Sequence, residues 1–301
     1  MITPAADFKI FLPLVYNSLP AVGVQDETKG IYADRYAAAS RVHLPLRWDW
    51  CHEQGIGIYN RLPAIAAAHW TIIGIRGTPD EYKLWPDIPC SPPAPAHYQA
   101  AADFFLAALE YTGAQAVAIY NEPEMAPSPE SLPFMGCWGL GYTSGFNYGK
   151  FCGYIYDAVK SALPNVTVIA GEFSGSPNLS FWNGFLAGSG RRFDALSFHN
   201  YALFGQPYAR PDAIVNQLRI VCQRLFWTEV ALLTDGDCTP EFQAAQAEHL
   251  DRAMQYTYEL GIECFFWYTI GGNNWRHSDL LSCGQDTPAY QRYLFYGRGG
   301  L

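Results

Sequence analysis

The sequence predicts a single α/β domain closed into a (β/α)8 TIM barrel. Near-continuous apolar strands alternate with amphipathic helices; seven such strands run from residue 41 onward, and one more is available before it. No glycine-rich dinucleotide turn follows any of them. Strands apolar on both faces belong to parallel sheets covered by helices. A chain of 301 residues without a nucleotide-binding turn suits one closed barrel better than a doubly wound sheet.

The elements follow in order. "KIFLPLVY" or "AVGVQ" supplies the first strand, so residues 1–20 are either that strand or an extended segment, and 21–301 form the barrel. "FKIFLPLVYNSLP" is short, contains Pro13 and has no small-residue cleavage site, so it is not an intact signal peptide. "RVHLPLRWDW" (41–50) reads as a strand, "IYNRLPAIAAAHW" (58–70) as a helix and "TIIGIRGTP" (71–79) as a strand. In 97–113, Phe104, Phe105, Ala108 and Leu109 share one helical face, with Gly113 as C-cap. The strand "AQAVAIYNEPE" precedes a long Gly/Pro-rich loop, a helix over 148–165 and the strand "VTVIAGEF" (166–173). A short helix (181–190), the strand "FDALSFHNY" (193–201) and a helix opened by Pro211 (211–223) come next. "RLFWTEVALL" (224–233), a long helix (240–261) and the strand "IECFFWYTIGG" (262–272) complete the series.

Composition removes several function classes. Half the residues are hydrophobic and only 16% are charged, so a large core is available and disorder is not expected. A net charge of −9 argues against nucleic acid or an anionic membrane as partner. No apolar run approaches the roughly 18 residues that span a bilayer. None of the eight cysteines lies in a CxxC pair, and the seven histidines show no HxH. No metal or cofactor is therefore expected. The even cysteine count permits disulfides, with about 105 possible pairings for eight cysteines. An extracellular location and a monomer are the expectations.

Two acids stand at strand ends. Glu122 follows the strand "AVAIYN", and Glu229 lies in "FWTEV". At the same rim of a closed barrel they face each other across its mouth. A pair of carboxylates there suits glycoside hydrolysis, in which one protonates the leaving oxygen and the other acts on the anomeric carbon. Glu172 in "IAGEF" also ends a strand, and Glu124 lies two residues beyond Glu122. Asp235 and Asp237 in "TDGDC" read as a turn or a calcium loop.

"IYNEPE" resembles the Asn-Glu-Pro signature of clan A glycoside hydrolases, the (β/α)8 group that includes families 5 and 39. "RVHLPLRWDW", "SFHNY", "WTEV" and "FFWY" resemble that clan's second, sixth, seventh and eighth strands, in the right order. The resemblance implies a retaining enzyme acting on β-glycosidic bonds of a carbohydrate substrate, with Glu122 as acid/base and Glu229 as nucleophile. It further implies that Asn121 binds the sugar 2-hydroxyl, that Arg47 holds Glu229 ionised, and that His199 and Tyr201 tune both acids. Trp267 would be the sugar platform, Trp138 a second one, and Glu172 a substrate contact. Competing readings stay open: Arg47 has Asp49 as an alternative partner, and His199 and Trp267 could be core residues. A barrel that binds carbohydrate without catalysis is the alternative function. One departure stands out, for Arg76 occupies the third-strand region where clan members often have a histidine.

Overall fold

The computed structural model describes residues 21–271, 275–281, 283 and 287–299. Eight parallel strands close into a barrel, each hydrogen-bonded to its neighbours in chain order and β1 to β8. They are β1 (Ala21–Gln25), β2 (Arg41–Arg47), β3 (Thr71–Arg76), β4 (Ala116–Ile119), β5 (Thr167–Phe173), β6 (Ala195–Leu203), β7 (Leu225–Leu233) and β8 (Cys264–Trp267). "AVGVQ" is thus the first strand, and "KIFLPLVY" lies outside the described residues. The α-helices are α1 (Trp48–Gln54), α2 (Leu62–Ala68), α3 (Tyr98–Thr112), α4 (Tyr142–Ala162), α5 (Leu179–Ser189), α6 (Asp212–Arg219), α7 (Pro240–Glu259) and α8 (Pro288–Tyr296). Two helices follow β2, whereas β1 and β2 are joined through a 3-10 turn at Ala33–Arg35.

Several elements differ from the sequence expectation. The second strand stops at Arg47 because Trp48, Asp49 and Trp50 open α1, where Asp49 in the first turn suits the helix dipole. α8, not expected from the sequence, starts at Thr287-Pro288, where the threonine side chain accepts the Tyr290 N–H. α4 begins at Tyr142 rather than 148, inside the stretch whose glycines had read as loop. One of those glycines, Gly145, serves close helix packing, together with three from stretches that read as helix. A Cβ on Gly145 would stand 2.0 Å from the Phe181 carbonyl oxygen, and one on Gly184 2.0 Å from that of Tyr142. Gly149 and Gly188 make the same kind of approach. α4 and α5 therefore touch backbone to backbone.

Inside the barrel, Ile72, Ala116, Ala118, Ile169, Ala195, Phe226, Cys264 and Phe266 form the apolar filling. Residues two apart on a strand share a face. Phe266 inside therefore puts Trp267 outside, and the larger apolar core between strands and helices takes it up. The expected helical face of α3 packs inward through Phe105, Ala108 and Leu109, while Phe104 stacks on Trp48.

Four of the loop cysteines form two disulfides. Cys90–Cys137 joins the β3–α3 loop to the β4–α4 loop, and Cys238–Cys283 joins the β7–α7 loop to the β8–α8 loop. Cys51, Cys152, Cys222 and Cys264 are buried and free; Cys51, expected in a loop, lies in α1.

Gly184→Ala should destabilise the fold by about 1–3 kcal/mol, the usual cost of overpacking. Gly57→Ala, where an added Cβ meets nothing within 4 Å, should be close to neutral. Urea denaturation of both variants checks the contrast.

Candidate active site

The C-terminal ends of the strands bring a polar layer together above the apolar filling. Alternation alone would not deliver it. On β7, Thr228 is an extra residue between the pairs Phe198–Trp227 and His199–Glu229. This bulge sets Glu229 rather than its neighbours beside His199. On β5 a similar irregularity lies between Ala170 and Phe173, where Gly171 has φ 109° and Glu172 φ 51°. Glycine adopts that backbone freely, and Glu172 follows it in a region costly for a side-chain-bearing residue. Beyond β4, Tyr120 and Glu122 have φ 60° and 49°. The backbone turns sharply there and lifts Glu122 out of the buried strand.

The result is a carboxylate pair bridged by one histidine. His199 Nδ1 lies 3.3 Å from Glu122 Oε1 and 3.4 Å from Glu229 Oε2. Sharing one nitrogen caps the separation of those oxygens at the sum of the two contacts. Tyr201 donates its hydroxyl proton to Glu229 Oε2, and Gln25 Nε2 donates to Glu229 Oε1 at 3.0 Å. Glu229 is thus held by both oxygens.

The charges are strongly coupled. Burial works against a proton on His199, but the charge of Glu229, then the contact with Glu122, raises its pKa to about 9. Burial pushes the Glu229 carboxyl above the ordinary glutamate range; His199 pulls it back, and Glu122 pushes it up again. Burial and the adjacent Glu229 charge keep the Tyr201 phenol protonated. Arg76 is nearly buried, paired with Glu27 and covered by the Phe134 ring. Burial opposes its charge, but Glu27 and Glu229 more than restore it.

Other sequence-predicted residues are placed differently. The Arg47 guanidinium is paired with Asp49, with Nε 2.7 Å from Oδ1, and lies over the Trp50 ring. No ion pair joins it to Glu229 among the described residues; Arg76 is the arginine whose field reaches that carboxylate. Trp267 is 0% exposed, donates its Nε1–H to the Ser278 carbonyl at 2.9 Å and packs against His249 of α7. It is wall packing, not a platform. Trp138 is 4% exposed among Tyr120, Tyr148 and Phe151, which makes it core as well. Glu172 is 2% exposed, with its carboxylate against His43 at 3.1 Å, and leaves almost no surface for a substrate. Asn121 is buried beside Glu122, and its Oδ1 has no hydrogen-bond partner.

Glu124 takes a separate part. It accepts from the Ser174 N–H at 2.6 Å and Oγ at 2.9 Å, and burial raises its pKa to about 7. It ties the β4–α4 loop to the β5–α5 loop. Asp235 pairs with Arg276 at 2.6 Å and 2.5 Å, linking the loops after β7 and β8. Trp48 and Trp182 are buried, while Trp50 is 39% exposed.

Sequence reasoning missed Gln25, Glu27, His43 and Tyr268. Tyr268 is half-buried and sets its ring edge-to-face with Tyr201, centroids 5.8 Å apart. A signal existed: Cys264, Phe266 and Tyr268 share one period-two face, as do His43 and Arg47.

Solved structures share this architecture. A family 39 glycoside hydrolase from Bacteroides cellulosilyticus WH2 aligns with a TM-score of 0.66 at 18% identity, covering 92% of this chain and 63% of that one. The chain thus spans less than two thirds of that protein. A monomeric beta-xylosidase from Caulobacter crescentus CB15 aligns at 0.63 and 14% identity, over 93% and 69% of the two chains. The endo-1,4-beta-D-mannanase of Thermotoga petrophila RKU-1 aligns at 0.56 and 13%, over 93% and 99%. No family model and no curated protein matches the sequence. The chain therefore shares its (β/α)8 barrel with solved clan A glycoside hydrolases.

Proposed function

We propose that the protein is a retaining glycoside hydrolase that cleaves β-glycosidic bonds of an oligo- or polysaccharide. One observation supports this above the others: a carboxylate just beyond β4 and one from the middle of β7 meet at a single imidazole nitrogen, at 3.3 Å and 3.4 Å. That closeness favours the spacing of about 5–5.5 Å used in double displacement over the about 6.5–9.5 Å that leaves room for a water in inversion.

In this reading Glu229 attacks the anomeric carbon while Glu122 gives its proton to the leaving oxygen, so the glycosidic bond breaks and a glycosyl ester forms on Glu229. Glu122, now a carboxylate, takes a proton from water; the water oxygen bonds to the anomeric carbon and Glu229 leaves as carboxylate. Tyr201, His199 and Gln25 orient Glu229. The open Oδ1 of Asn121 is an acceptor for a sugar hydroxyl, and Tyr268 replaces Trp267 as the aromatic surface against the ring. The two disulfides support an oxidising, extracellular setting, and no described helix is long and apolar enough to cross a membrane.

Glu229→Ala should abolish turnover of an aryl β-glycoside, and azide should restore product with inverted configuration. Glu122→Ala with azide should give the retained glycosyl azide instead. More than a few per cent of wild-type activity in Glu229→Ala would sink the assignment, as would an absence of activity on every aryl glycoside and β-glycan offered to the wild type.

The pH dependence follows from the same charges. Catalysis needs ionised Glu229, and its pKa is raised above the ordinary 4.5. The acidic limb of kcat/KM, which reports the free enzyme, should therefore lie above pH 4.5, with activity falling as pH drops through it. A limb at or below 4.5 would contradict the role.

A further inference from the structure

Glu229 is gripped from two sides, and one of them continues beyond the residues already given a role. On the Oε1 side, Gln25 Nε2 donates both to Glu229 at 3.0 Å and to Glu27 Oε1 at 2.7 Å. Two carboxylates facing one amide settle which end is nitrogen, because the reversed amide would set its oxygen against both anions. The Gln25 oxygen then faces His43 Nδ1 at 2.8 Å, and that contact requires a proton on Nδ1. The other ring nitrogen, Nε2, lies 3.1 Å from Glu172 Oε1, off the line of a hydrogen bond. Burial opposes ionisation of Glu172, but His43 first, then His199 and Arg76, outweigh it and lower its pKa.

The surroundings are built for this ring. Gln25, His43 and Glu172 are all buried, and a Cβ on Gly74 would stand 2.5 Å from His43 Nε2. Phe266 sets its ring edge-to-face with the imidazole, centroids 5.9 Å apart. The charged and titratable groups around Glu229 are Glu27 after β1, Arg76 on β3, Glu122 after β4, Glu172 on β5, His199 and Tyr201 on β6, and Tyr268 after β8.

We propose that Gln25, His43 and Glu172 form a positioning chain: Gln25 fixes Glu229 Oε1, and through Gln25 the ionisation of Glu229 is coupled to the buried contact between His43 and Glu172. The proposal rests on the reading of Glu229 as nucleophile, but its test does not. Of the three only Gln25 touches Glu229, at Oε1; His43 and Glu172 act through it by holding charge and orientation.

Replacing His43 by Gln removes the imidazole that stands 3.1 Å from the Glu172 carboxylate and lowers its pKa. The carboxyl carbon of Glu229, followed by NMR in glutamate-labelled protein and assigned by its loss in Glu229→Gln, should titrate about one unit higher. The kcat/KM loss should be roughly tenfold on the acidic limb and should shrink as pH rises. Adding Glu172→Gln to His43→Gln removes the uncompensated anion and should bring the titration back toward wild type. A merely structural role predicts a pH-independent loss that the second substitution deepens. Gln25→Leu breaks the link without removing a charge and should move Glu229 in the same upward direction. A folded His43→Gln or Gln25→Leu variant in which Glu229 titrates within about 0.2 unit of wild type overturns the proposal. If Glu229 shifts as expected but no glycoside is ever hydrolysed, the coupling stands and the functional reading falls.

Discussion

Carboxylates cannot be kept inside a barrel without cations to answer them, and that constraint organises the whole mouth of this molecule. Glu27, Glu122, Glu172 and Glu229 are gathered there, and an uncompensated buried ion costs several kcal/mol even after relaxation. The answer is distributed. Arg76 meets Glu27, His43 meets Glu172, and His199 stands between Glu122 and Glu229. The neutral groups then have defined tasks: Tyr201 donates to Glu229 Oε2, which His199 also reaches, and Gln25 donates to Oε1. With so many partners shared, no single group can be changed without altering its neighbours.

A strict period of two could not assemble this cluster. Bulges on β5 and β7 and the left-handed backbone at Tyr120 and Glu122 each turn a side chain that regular pairing would have pointed elsewhere. The frame that tolerates these departures is rigid. Apolar side chains fill the barrel below, and α4 and α5 lock together through glycine outside β4 and β5. Local strain at the strand ends is offset by packing made elsewhere.

The fold and the two acids that meet at His199 were legible because they depend on long-range regularities. Alternating apolar strands and amphipathic helices announce a barrel, and a motif such as "IYNEPE" marks the rim. Supporting residues were less legible because their roles depend on direction. Whether Trp267 or Tyr268 faces the interior turns on one step of register, and Phe266 in the filling decides it. Arg47 and Arg76 both end strands, yet Asp49 two residues on captures the first and leaves the second for the interior. Gly145 read as loop because nothing local reveals that a second helix lies against it.

The disulfides have a consequence for how this rim can change over evolutionary time. It is a hoop clasped in two places, between the third and fourth loops and between the seventh and eighth, each clasp holding its Cα atoms 5.5 Å apart. A loop in a clasped sector cannot change length freely, because its partner must still meet it. The loops after β1, β2, β5 and β6 carry no such obligation. New specificities are therefore most accessible through insertions in those unclasped sectors, while the clasped ones keep the outline of the mouth.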